Sequence, residues 1–126
     1  MIYNKLKTTL KEVQKRKPKE IEITSIYADF LSTGVDIIVN FKDEYSKKKK
    51  FSDFYNRAVQ PVMDKAIKLE RKERCTEIGD IFKKYLKLDY IEYYISADTT
   101  YTVVYKILDK DAYSEEIKIH KLLKDI

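Results

Sequence analysis

Residues 21–41 read IEITSIYADFLSTGVDIIVNF, and this stretch decides the fold. Ile21 and Ile23 alternate with polar residues; Ile26, Ala28 and Phe30 then alternate on the opposite parity. Period two is the pattern of a strand with one buried face. Because a slip of one residue turns every later side chain to the other face, the change of phase at Thr24–Ser25 predicts a bulge or a strand that changes faces. Ser32-Thr33-Gly34 is a turn signal, with Gly34 the residue expected at positive φ. Val35, Ile37, Val39 and Phe41 follow, alternating with Asp36, Ile38, Asn40 and Lys42, and complete a hairpin.

Toward the N-terminus, Ile2, Tyr3, Leu6, Leu10 and Val13 step by three and four, which places them in one wedge of a helix. Lys7, Lys11 and Lys15 align on another face of it. The helix has to end near Lys17, since a residue before proline is pushed out of the α region.

Beyond the hairpin, Lys47, Lys48, Lys49 and Lys50 form a run that cannot be buried and reads as a solvated connection or helix start. Phe51, Phe54, Tyr55, Ala58, Val62, Ala66 and Leu69 then recur at helical spacing, interrupted by Pro61. Either the helix kinks there, or one helix ends at Gln60 and another begins with Pro61 in its first turn. The charged stretch Lys68–Glu77 is expected to project into solvent, with helical spacing resuming at Ile78 after a restart marked by Gly79 and Asp80. Tyr90–Ser96 and Tyr101–Asp109 read as a second hairpin. Asp111 is placed to cap a final helix, the alternative being a short strand at Ile117-Lys118-Ile119.

These elements predict an α+β domain spanning residues 1–126. Two β-hairpins, able to join as one four-stranded antiparallel sheet, pack with an N-terminal helix, a kinked central helical segment and a C-terminal helix. The halves also suggest an α-β-β-α internal duplication, since Lys42-Asp43-Glu44-Tyr45-Ser46 resembles Lys110-Asp111-Ala112-Tyr113-Ser114 and Ile21-Glu22 resembles Ile91-Glu92.

Composition narrows the function. A chain of 126 residues with 44% apolar and 37% charged residues is neither disordered nor low-complexity. One cysteine excludes an internal disulfide, and two glycines leave no phosphate-cradling loop. No apolar run reaches the roughly 18 residues of a membrane span, so a cytoplasmic protein without membrane contact is expected.

Catalysis fits the residues poorly. Cys75 lies among cations that could favour its thiolate, but the only histidine, His120, is remote in sequence and no motif surrounds either. A metal-dependent nuclease needs converging carboxylates beside a lysine, and Asp36, Asp43, Glu44 and Lys47 are the nearest approach. The expectation is therefore a protein that is not an enzyme and has no cofactor or metal.

Binding remains. The net charge of +5 lies wholly in the first half: residues 1–60 hold 13 Lys+Arg against 8 Asp+Glu, whereas residues 61–126 hold 13 of each. Lysines outnumber arginines 22 to 4, which favours loose phosphate contact over base reading. Lys7, Lys11, Lys15 and Arg16, together with Lys47, Lys48, Lys49 and Lys50, are the candidate residues for nucleic acid or an acidic protein surface. Tyr45, Phe51, Tyr90 and Tyr94 are the candidate aromatic contacts, the last two because they take the polar parity of their strand. The alternative is a protein–protein module, such as an inhibitor encoded by a phage or mobile element, or a homo-oligomer subunit.

Overall fold

In the computed structural model, residues 1–43, 60–95 and 99–125 are described. Along them run α1 (Ile2–Arg16), β1 (Ile21–Leu31), β2 (Gly34–Asp43), α2 (Gln60–Tyr85), β3 (Leu88–Tyr94), β4 (Thr100–Leu108) and α3 (Glu116–Lys124). A 3-10 turn, Ala112–Glu115, precedes α3. The strands make one antiparallel sheet in the order β1-β2-β4-β3, so the two hairpins meet through β2 and β4.

The phase slip is a bulge. Ile23 pairs with Phe41 and Ser25 with Asn40, leaving Thr24 as the extra residue. Its hydroxyl donates to the Asn40 carbonyl at 3.1 Å. The bulge keeps Ile21 and Ile26 on the same face, both buried, although they differ in parity. Val35, Ile37, Val39 and Phe41 of β2 join them, as do Tyr101, Val103, Tyr105 and Ile107 of β4. Two aromatic stacks bind this layer to itself and to α2. Phe41 lies 5.3 Å from Tyr101, and Phe82 lies 4.1 Å from Tyr105 with the rings 6° from parallel.

Gly34 corrects the turn reading. No described residue has positive φ, Gly34 included. The glycine is required by close approach instead: a Cβ there would stand 1.8 Å from the Ile107 carbonyl oxygen. Gly79 does not restart a helix either, because α2 runs unbroken from Gln60 to Tyr85. A Cβ at Gly79 would come within 2.6 Å of Ile91 Cδ1, so its absence lets α2 settle onto β3. Pro61 falls in the first turn of α2, where its missing N–H costs nothing.

All three described helices cover one face of the sheet. α1 buries Ile2, Leu6, Leu10 and Val13 and ends as Lys17 turns extended, with φ −61° and ψ 148°, ahead of Pro18. It packs between α2 and α3. The first N–H groups of α1 lack a local side-chain cap, and Glu115 supplies one: its buried carboxylate accepts from the Tyr3 N–H at 2.8 Å. Ile117-Lys118-Ile119 is helical, within α3. Asp111 precedes the 3-10 turn without a side-chain capping bond.

The strand order is that of two hairpins related about an axis between β2 and β4. The residues that suggested duplication do not take equivalent places in it, however. Lys42-Asp43 closes β2, whereas Lys110-Asp111 follows the end of β4; Ile21 opens β1, whereas Ile91 lies inside β3.

Candidate functional site

The buried stripe of α1 leaves Lys5, Lys7, Lys11, Lys15 and Arg16 exposed. Lys7, Lys11 and Lys15 make no ion pair among the described residues, and at 1.5 Å rise per residue they span about 12 Å of helix. The only acid on α1, Glu12, is shared by Arg16 at 3.9 Å and Lys84 of α2 at 3.6 Å. Arg16 and Lys17 also edge a cleft of about 200 Å³ whose other walls are Pro18, Glu77, Ile78 and Ile81.

α3 carries exposed cations of its own. Lys118, Lys121 and Lys124 are exposed on it, also without ion pairs among the described residues. α3 packs against α1, joined to it near the start of α1 through Tyr3 and Glu115. The tie between Tyr3 and Glu115 sets that position, and nothing local to either residue announces it.

The aromatic candidates go elsewhere. Tyr90 and Tyr94 are 49% and 59% exposed on the sheet face opposite the described helices, so they are not grouped with the α1 lysines. Lys106 stands over the Tyr90 ring at 5.4 Å, and the Tyr94 hydroxyl donates to Glu92. Tyr45, Phe51, Lys47, Lys48, Lys49 and Lys50 lie outside the described residues.

The stretch expected in solvent is partly interior, which is a further correction. Arg71 and Cys75 are buried and Arg74 nearly so. Arg74 reaches the Asp43 carboxylate at 3.4 Å and Glu20 at 3.1 Å, while Arg71 approaches the Asp43 carbonyl at 3.5 Å and stacks 5.5 Å over Tyr101. The Tyr101 hydroxyl donates to Asp43 at 3.3 Å. Asp43 is fully buried at the end of β2, so these cations give its charge partners inside the protein.

Burial pushes the Cys75 thiol up to about 12, outweighing the lowering influence of the nearby Tyr101 hydroxyl. The neighbouring cations therefore do not produce a thiolate. His120 packs edge-on against Phe30 and faces Glu116, apart from Cys75. Asp36 and Asp43, two of the carboxylates considered for a nuclease, sit on opposite faces of β2; Glu44 and Lys47 fall outside the described residues. Among the described residues no group of three His, Cys, Asp or Glu side chains could hold a metal ion, and no helix is long and apolar enough to cross a membrane.

No protein-family model, curated protein or solved structure matches the chain.

Proposed function

We propose that this protein is a non-catalytic binding protein whose helical face engages the phosphates of nucleic acid. The observation that carries the reading is the row Lys7, Lys11 and Lys15, exposed on one side of α1 and free of carboxylate partners among the described residues. Clustered cations of this kind raise the local potential and speed encounter with a polyanion.

The geometry favours the phosphate backbone over the bases. A recognition helix must enter a major groove about 12 Å wide. α1 instead lies packed between α2 and α3 with its apolar side in the core, and lysine is the commonest of its outward side chains, beside Asn4, Thr8, Gln14 and Arg16. Lysine meets phosphate as a point charge without the bidentate geometry that reads a base edge. The mode is therefore sequence-independent.

Salt titration tests it. Binding to duplex or single-stranded oligonucleotides of unrelated sequence should weaken log-linearly with salt. Replacing Lys7, Lys11 and Lys15 together by Gln should reduce the magnitude of the slope by about 2 to 3, because each phosphate contact contributes about 0.7 to 0.9. An unchanged slope in the triple variant, with the fold intact by circular dichroism, would reject this face as the contact.

A further inference from the structure

Among the described residues the helices cover one side of the sheet and none lies on the other. Five of the large apolar side chains that are exposed gather on that other side: Tyr27, Leu31, Tyr90, Tyr94 and Leu108. Grouped exposure of this kind marks an interaction surface, whereas scattered apolar residues need no explanation. Tyrosine suits such a surface, because its ring offers contact area and its hydroxyl stays wet.

Charge tells what the surface would accept. Asp29 and Asp36 face each other directly across the β1–β2 pairing, an unfavourable placement for like charges. Lys106, opposite Asp36 on β4, holds Asp36 at 3.0 Å and Glu92 at 3.7 Å. Its ammonium also stands over the Tyr90 ring. Asp29 is left exposed, with no ion pair among the described residues. Lys106 thus displays the recognition this face offers to a cation: carboxylates beside a tyrosine ring. The same components recur unfilled at Tyr27 and Asp29, two residues apart on one face of β1.

The dimensions favour a segment over a folded domain. Four strands of 7 to 11 residues, rising about 3.3 Å per residue and about 4.8 Å apart, present on the order of 600 Å². A standard interface buries about 800 Å² on each side. A second copy docked face to face would also set carboxylates against carboxylates. Nucleic acid would bring its phosphates to Asp29 and Glu92.

We propose that this exposed sheet face binds a basic polypeptide segment, one arginine or lysine head received by Asp29 and another by Glu92, which stays one-third exposed although Lys106 reaches it at 3.7 Å, with its stems lying on Tyr27, Tyr90 and Tyr94. This surface is separate from the lysines of α1, so either can fail without the other.

The test is amide chemical-shift mapping of the full chain titrated with nona-arginine, and separately with single-stranded oligo-dT. Nona-arginine should shift amides of β1, β3 and β4, and the double variant Asp29→Asn, Glu92→Gln should weaken it at least tenfold. Tyr27→Ser, at a half-exposed position, should weaken it severalfold with the fold retained. The Lys7, Lys11 and Lys15 triple Gln variant should bind the peptide no less tightly than the parent. Shifts confined to other surfaces, affinity indifferent to the acidic variants, or oligo-dT shifting the sheet-face amides would each overturn the proposal.

Discussion

Tyr105 shows how much one atom can matter in this interior. Its ring is fully buried and stacked on Phe82, but its hydroxyl has no hydrogen-bond partner among the described residues. An unpaired buried hydroxyl costs roughly 1–3 kcal/mol, so Tyr105→Phe should leave stability unchanged or raise it by about 1 kcal/mol in urea unfolding. Cys75 makes a second prediction at this scale. Its folded pKa is raised from 9.0 to about 12. Above pH 9 the unfolded chain gives up the thiol proton while the folded one keeps it, so stability falls as pH rises toward 12. Cys75→Ala should shallow that alkaline decline by one proton, although Tyr101 and Tyr105, both raised by burial, still contribute to it. At pH 8 the thiol should stay unlabelled by a disulfide reagent until denaturant is added.

Among the elements, β1 carries the most instructive detail. Deleting Thr24 would put Ile21 and Ile23 on the bare face or force the remainder of the strand there. Loss of a buried isoleucine alone costs about 2–5 kcal/mol, so the deletion should lower the urea midpoint severely or abolish folding. This bulge was legible in the sequence because alternation is strict on either side of it. The face taken by each tyrosine of the second hairpin was legible for the same reason: Tyr101 and Tyr105 share a parity with Val103 and Ile107 and are buried, while Tyr90 and Tyr94 take the other and are exposed. The middle of α2 was not, because Arg71 and Arg74 read as solvent-facing charges. Their spacing to Cys75, Ile78 and Phe82 places them on the buried side of the helix, but the acid they serve, Asp43, comes from a strand end that only the tertiary fold brings near.

For the molecule as a whole, strand order and helix placement decide what lies on which side. Cations dominate the outward surface of α1 and α3, and tyrosines with carboxylates mark the bare side of the sheet. Sequence alone could list both sets of residues but not separate them, because separation depends on the three described helices choosing one face. Glu115 holds part of that arrangement together across 112 residues of chain. Glu115→Ala should cost about 1–2 kcal/mol, the loss of a helix cap, and hydrogen exchange should quicken first in the opening turn of α1. That tie also bears on biosynthesis. α1 must wait for a carboxylate that emerges from the ribosome more than a hundred codons later. Until then α2 can already lie against its apolar stripe but α3 cannot, and the nascent chain leaves part of that stripe open to a chaperone.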